Sequence, residues 1–143
     1  MKAVVILAAV GLVACADETA KVRSVLRDFN RASQKPDPRL FQSLFTLNAD
    51  YRDSMRILKG REALVSLFVS RQRWSERTAP MLQEEEIRMV GASTALVDAR
   101  LVQYGTTLGK SAVRVVLLLE KEEDQWRISS WRTFGSAILM FPG

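Results

Sequence analysis

Four predicted β-strands follow one another in residues 84–134, EEEIRMVGASTALVDARLVQYGTTLGKSAVRVVLLLEKEEDQWRISSWRTF. The segments are rich in β-branched and alternating apolar residues, and they cover 84–90, 95–104, 112–120 and 126–134. They are separated by Gly91, by Gly105 with Gly109, and by the charged turn Lys121-Glu122-Glu123-Asp124. Connections this short join neighbouring antiparallel strands, so this half of the chain predicts an antiparallel meander.

The first half of the chain is helical in pattern. Apolar residues at helical spacing predict three helices. The first covers 17–34, the second begins just after Asp37, and the third covers 61–72. Asp37 is suited to cap the second helix, with Pro38 at its first position. A strand is predicted at 48–55, followed by a turn at Lys59-Gly60. The predicted buried faces consist of Val22, Val25, Leu26 and Phe29 in the first helix, Leu40, Phe41, Leu44 and Phe45 in the second, and Ala63, Leu64, Leu67 and Phe68 in the third.

Three helices followed by a meander are typical of an α+β domain in which the helices cover one face of a curved sheet. We find no internal repeat and no linker. The sequence therefore predicts a single domain at 15–143, preceded by a separate segment at 1–14.

The N-terminus has the features of an export signal. Lys2 precedes the apolar run 3–11, which leads into Leu12-Val13-Ala14-Cys15. That tetrapeptide resembles a bacterial lipobox, which implies cleavage before Cys15 and acylation of its sulfur. Ordinary cleavage within Ala14-Cys15-Ala16 is the alternative. A membrane span needs about 20 apolar residues, and here the polar pair Asp17-Glu18 follows a shorter run. We expect an exported lipoprotein, anchored in the membrane of a bacterial cell envelope.

Composition excludes several kinds of site. The chain has no histidine, and its single cysteine is Cys15, so zinc sites of His and Cys and nucleophile systems that need histidine cannot form. Within one mature chain no disulfide can form. No glycine-rich phosphate loop occurs, and no basic block interleaved with aromatics suggests nucleic-acid binding. We expect no metal and no cofactor; acid–base chemistry would depend on carboxylates, tyrosines, lysines or arginines.

The order of elements resembles the SnoaL-like branch of the nuclear transport factor 2-like superfamily, over about residues 18–135. The residues that carry the resemblance are the paired helices around Asp37, Leu44-Phe45 leading into Asn48-Ala49-Asp50, Leu58-Lys59-Gly60-Arg61-Glu62-Ala63-Leu64, and Gln125-Trp126-Arg127-Ile128. The resemblance implies a cone, with a curved antiparallel sheet around three helices, an apolar pocket inside and often a homodimer. Members of this fold include isomerases, cyclases, dehydratases, epoxide hydrolases and non-catalytic binding proteins, so fold alone does not choose a function.

Asp53 is the candidate catalytic residue, because ketosteroid isomerase-like relatives carry their proton-abstracting aspartate at the matching strand position. Strand alternation places Tyr51 on the same face, and an apolar pocket would raise the pKa of Asp53. The alternative is a solvated carboxylate, or one paired with Arg52 or Arg56.

The other hydrogen-bond donors of such isomerases are missing. Phe29 stands where those relatives carry a tyrosine. The second donor would fall near Val116 or Leu117, whose side chains have no proton to donate. Without donors aimed at the developing oxyanion, an enolate gains little stabilisation.

Asp98 and Arg100 form a second candidate pair. The resemblance implies that Asp98 and Arg100 face the pocket, where Arg100 would orient a carboxylate or carbonyl. Polarity alone predicts the opposite, with Ala99 and its apolar neighbours facing the core. Trp74, just beyond the third helix, is a candidate pocket residue beside a polar loop.

Two functions fit these observations. The first is an exported, lipid-anchored domain that binds a small hydrophobic ligand or a protein partner without catalysis, as a homodimer. The second is an acid–base enzyme of isomerase, cyclase or dehydratase type, which uses Asp53 on a hydrophobic carbonyl substrate.

Overall fold

The computed structural model describes the backbone of residues 2–35, 37–70, 79–104 and 110–135, and the side chains of 16–35, 37–70, 79–103 and 112–135. The helices are α1 (Lys2–Gln34), α2 (Pro38–Leu44) and α3 (Arg61–Ser70). The strands are β1 (Phe45–Arg52), β2 (Ile57–Lys59), β3 (Met81–Met89), β4 (Thr94–Tyr104), β5 (Lys110–Glu122) and β6 (Gln125–Phe134). The α+β class predicted from the sequence is confirmed.

The helices bury the faces that their periodicity predicts. In α1 the side chains of Val22 and Phe29 have no exposed surface. The Asp37 carboxylate caps α2 by accepting a 3.0 Å hydrogen bond from the Leu40 amide, which satisfies one of the free N–H groups of the first turn. The backbone of α1 is helical from Lys2, so this helix runs through the predicted boundary at residue 15.

Within the described residues, one sheet of six strands contains the predicted meander, in the order β2-β1-β6-β5-β4-β3. The pairs β3–β4, β4–β5 and β5–β6 are antiparallel, whereas β1 joins β6 in parallel. The first strand begins at Phe45, three residues before the predicted start, and ends at Arg52. The predicted extension to Met55 is wrong, because the Asp53 amide donates to the Arg56 carbonyl at 3.1 Å and turns the chain into β2.

The sheet curves around the helices. Register shifts between Glu84 and Glu86 in β3, and between Leu118 and Leu119 in β5, interrupt the ladders and increase the local twist. The Asn30 side chain in α1 holds the edge strand β3, since it donates to the Leu82 carbonyl at 2.9 Å and accepts from the Leu82 amide at 2.7 Å. Most of the concave face is apolar, and its fully buried residues include Val97, Val115, Leu117, Ile128 and Trp131.

None of the helices, over the residues that the structure describes, has the length and hydropathy that a membrane span requires.

Candidate functional site

Asp53 lies directly after β1, in the turn that leads to β2, and its side chain has no exposed surface. Oδ1 accepts hydrogen bonds from the backbone amides of Met55 and Arg56, each at 2.8 Å. Oδ2 accepts a hydrogen bond from the Tyr51 hydroxyl at 2.8 Å and lies 3.5 Å from Arg56 Nε. Both oxygens therefore have donors from the same short segment of chain, residues 51–56.

The electrostatics of Asp53 are those of a stable carboxylate. Burial alone raises the pKa of Asp53, but the Met55 amide, the Tyr51 hydroxyl, the Arg56 amide and the Arg56 charge together lower the pKa below its usual value. The raised pKa expected from the sequence is wrong for this reason. A carboxylate with these donors has little tendency to take up a proton near neutral pH.

Tyr51 faces the interior, as strand alternation predicts, and is 1% exposed. Its ring is part of an aromatic cluster between the helices and the sheet. Within this cluster the Phe68 ring centroid lies 4.8 Å from that of Trp131 and 5.2 Å from that of Phe29. The cluster comprises Phe29, Phe41, Phe45, Tyr51, Phe68 and Trp131.

The interior positions that would carry catalytic donors are apolar. Phe29 has no exposed surface, and its ring lies 5.0 Å from Trp131. Leu117 is buried on the concave face, while Val116, its neighbour on β5, points to the outer face. No donor at either place is available to a ligand carbonyl.

Asp98 and Arg100 lie on the outer face of the sheet. The prediction that they face a pocket is wrong, because Ala99 and Leu101, the alternating residues of β4, occupy the core. Asp98 Oδ1 pairs with Arg114 Nη2 at 2.9 Å, and Arg100 pairs with Glu85. These are surface ion pairs across neighbouring strands, as the polarity pattern of β4 alone predicts.

Two candidate residues lie outside the described part of the chain. Trp74 belongs to the segment 71–78, which is not described, and the side chain of Cys15 is not described either. Their assignments as a pocket residue and a lipidation site stay predictions.

The structure adds two features that the sequence did not single out. Gln103, on the core-facing side of β4, is 3% exposed, and its Oε1 has no hydrogen-bond partner among the described residues. A groove of about 340 Å³ lies between α2 and α3 and has Val65 and Val69 in its lining. The sequence did contain a signal for the groove, because Val65 and Val69 widen the apolar strip of α3 beyond one face.

Among the described residues, no group of three or more His, Cys, Asp or Glu side chains is arranged to hold a metal ion.

Comparison with known proteins identifies the fold. An NTF-2-like protein of unknown function from Shewanella oneidensis is 17% identical, with a TM-score of 0.70, over 81% of this chain and 98% of that one. An uncharacterized protein with a cystatin-like fold from Caulobacter vibrioides is 17% identical, with a TM-score of 0.66, over 85% of this chain and 92% of that one. A cystatin-like domain from Nostoc punctiforme is 20% identical, with a TM-score of 0.69, over 85% and 78%. At these identities the likeness establishes the fold alone.

No curated protein matches the chain. The profile of the SnoaL-like domain family matches residues 15–132, which include every described strand except the end of β6. By this match the chain belongs to the SnoaL-like domain family, and its fold is that of the NTF-2-like structure from Shewanella oneidensis.

Proposed function

We propose that this protein is an exported lipoprotein, anchored through acylated Cys15, whose SnoaL-like domain binds a small hydrophobic ligand or a protein partner without catalysis. The observation that carries the proposal is the state of the candidate site. Aromatic side chains pack against one another on the inner side of Asp53, and Asp53 is an ionised carboxylate held by its own turn. A proton-transfer enzyme needs an accessible base of suitable pKa. A hollow of about 350 Å³ lies beside the turn 52–57, but the Asp53 side chain has no exposed surface and its lowered pKa makes it a weak base.

The start of the domain supports an anchor close to the bilayer. Glu18, three residues after Cys15, accepts a hydrogen bond from Trp126 Nε1 at 2.6 Å and pairs with Lys121 Nζ at 3.1 Å. These contacts fix α1 to the turn between β5 and β6. Only Ala16 and Asp17 separate this fixed point from the proposed lipid, so the domain would lie against the membrane surface.

The outer face of the sheet supports the proposed homodimer. Leu96, Val116 and Leu118 are only partly buried there, and Phe134 is 53% exposed. Contact with the same face of a second copy would cover this surface. Val116→Glu should shift sedimentation of the protein towards the monomer, whereas Lys35→Glu, on the helical side, should not. A wild-type protein that sediments as a monomer at high concentration would contradict the dimer.

Cell fractionation tests the anchor. The wild-type protein should be recovered with membranes and Cys15→Ala in the soluble fraction, while the neighbouring Ala16→Ser variant, which keeps the cysteine, should stay with membranes. A Cys15→Ala protein that remains membrane-bound would refute lipid anchoring. Native mass spectrometry of the protein isolated from its own cell envelope tests the ligand, through the mass of any molecule it retains.

Hydrogen exchange tests the catalytic alternative. The protein should not accelerate exchange of the α-hydrogens of a hydrophobic ketone in D₂O. If it does, and Asp53→Asn abolishes the acceleration, the acid–base enzyme is the correct function and non-catalytic binding is wrong.

A further inference from the structure

The groove between α2 and α3 has an apolar floor on the outside of the helical layer. Val65 and Val69 stand one turn apart on α3, so their side chains form a continuous strip along the groove. Both pack against the core but remain partly exposed, whereas their neighbours Leu64 and Phe68 are buried. Pro38 of α2 also lines the groove. The floor is therefore apolar surface that folding of the described chain leaves partly uncovered.

Two arginines line this groove, one in the first turn of each helix that forms it. Arg39 lies in the first turn of α2 and Arg61 in the first turn of α3. Neither side chain has an ion pair or hydrogen bond within the part of the chain that the structure describes. By contrast, Arg100 and Arg114 on the sheet each have a carboxylate partner.

Among the described residues of the lining, Glu62 is the only acidic one. It follows Arg61 directly in α3, and adjacent helix positions do not face each other. It makes no ion pair with a described residue. As far as the structure describes the groove, the two arginines therefore keep their charges available beside an apolar strip, with one carboxylate opposing them.

We propose that this groove binds a small anionic amphiphile, a carboxylate attached to a single acyl chain. The chain lies along Val65 and Val69, and the carboxylate accepts hydrogen bonds from Arg39 and Arg61. Guanidinium groups suit this head group because their N–H donors match both oxygens of a carboxylate. The volume of about 340 Å³ lies within the roughly 300–1,000 Å³ range of ligand pockets, and the linear strip formed by Val65 and Val69 suits a single chain. The inference deepens the proposed binding function and rests on it.

Isothermal titration of the full chain carrying Cys15→Ala, with decanoate or decanol below the concentration at which either aggregates, tests the proposal. Decanoate should bind about tenfold more tightly than decanol, because only the acid gains charge-assisted hydrogen bonds. The double variant Arg39→Gln/Arg61→Gln should bind the two compounds equally. Glu62→Gln should bind decanoate about two- to threefold more tightly, because it removes the opposing charge. Val69→Ser should weaken the binding of decanoate and of decanol to the same extent.

The matched control is Arg27→Gln/Arg88→Gln, which removes the same charge from exposed arginines on α1 and β3, outside the groove lining. It should change decanoate affinity by less than about twofold. The proposal is overturned if decanoate and decanol bind equally to the wild-type protein, or if neither binds. It is also overturned if the control double variant weakens decanoate binding as much as Arg39→Gln/Arg61→Gln does. Decanoate binding that is unaffected by the groove variants also overturns it, but leaves the proposed binding function standing with its site elsewhere.

Discussion

The hydroxyl of Tyr51 donates a 2.8 Å hydrogen bond to Oδ2 of Asp53, two residues further along the chain. Both side chains point inwards from the end of β1, where alternation places them on one face. The contact connects the aromatic cluster, through the Tyr51 ring, to the turn that Asp53 closes with the Met55 and Arg56 amides. A residue that looks catalytic from its position is thus part of the framework of a β-turn.

Asp53→Asn should lower the free energy of unfolding at pH 7 by about 1–3 kcal/mol, because it weakens charge-assisted hydrogen bonds made by a buried group. Urea denaturation measures the change. Asp98→Asn is the control, since it removes the surface ion pair with Arg114 and should cost at most about 1 kcal/mol. Equal effects of the two substitutions would contradict a structural role for Asp53.

The effect of Asp53→Asn should depend on pH in a defined direction. The pKa of Asp53 is lowered in the folded protein, since its hydrogen bonds and the Arg56 charge outweigh the opposing effect of burial. A carboxylate whose pKa is lowered by folding stabilises the fold at pH values above its unfolded-state pKa of about 4. This stabilisation is lost as the pH falls through the folded-state pKa. The stability difference between wild type and Asp53→Asn should therefore be constant above about pH 5 and shrink below about pH 4. A difference that grows on acidification would mean that Asp53 has a raised pKa after all.

Glu18 should make the attachment of α1 to the sheet sensitive to acid. Hydrogen bonds from Trp126 and Lys121 lower the pKa of Glu18 to about 2. Glu18→Gln should therefore destabilise the protein from neutral pH down to about pH 4.5, and the loss should disappear as the pH approaches 2. Thermal denaturation across this range measures it. Asp17→Asn, which removes only an exposed ion pair with Lys21, should show a smaller loss; a loss as large as that of Glu18→Gln would argue against the Trp126 contact.

Periodicity predicted most of the fold because burial decides it. The α1 face that contains Val22 and Phe29 is apolar and lies against the core. In β4 the residues that alternate with Asp98 and Arg100, such as Ala99, are apolar and buried. The same pattern placed Asp98 and Arg100 correctly on the outer face, while the family resemblance placed them inside. Local polarity was the better guide because burying both charges would require partners in the core.

The candidate site was harder to predict, since its properties depend on hydrogen bonds that the sequence does not display. Strand position and alternation predicted that Asp53 and Tyr51 share the inner face. The pKa of the carboxylate depends on hydrogen bonds from two backbone amides in the turn after β1. The sequence did not indicate this turn, because it gave no sign of the short strand β2 that follows it. The groove was missed for a different reason: it forms between Arg39 and Arg61, which are 22 positions apart in the printed sequence.

Phe68→Ala should both destabilise the protein and open its interior. Phe68 is 2% exposed and contacts the rings of Phe29, Phe45 and Trp131. Its truncation should cost about 3–5 kcal/mol in the free energy of unfolding. The cavity left behind is apolar and should bind benzene, as dry apolar cavities do, whereas the wild-type interior should not. Phe68→Leu, which leaves a smaller space, should cost less and bind benzene more weakly. Benzene binding inside the wild-type protein would show that the aromatic cluster leaves room for a ligand.

Asp124→Gly should stabilise the protein by about 0.5–1 kcal/mol, because the turn between β5 and β6 needs a left-handed backbone. Glu123 and Asp124 have φ values of 53° and 62°, and Glu122 pairs directly with Gln125 across the two-residue loop. Positive φ at both central residues is the geometry in which glycine is favoured at the second position. Leaving Glu123 unchanged retains its 3.7 Å ion pair with Arg127, so the measured change in stability reflects the backbone conformation at residue 124.

The control is Glu120→Gly, in the extended part of β5, where the same substitution should cost about 0.5–1 kcal/mol. Thermal denaturation compares the two variants, and an Asp124→Gly protein with an unchanged or lower Tm would mean that the left-handed turn carries no strain to relieve.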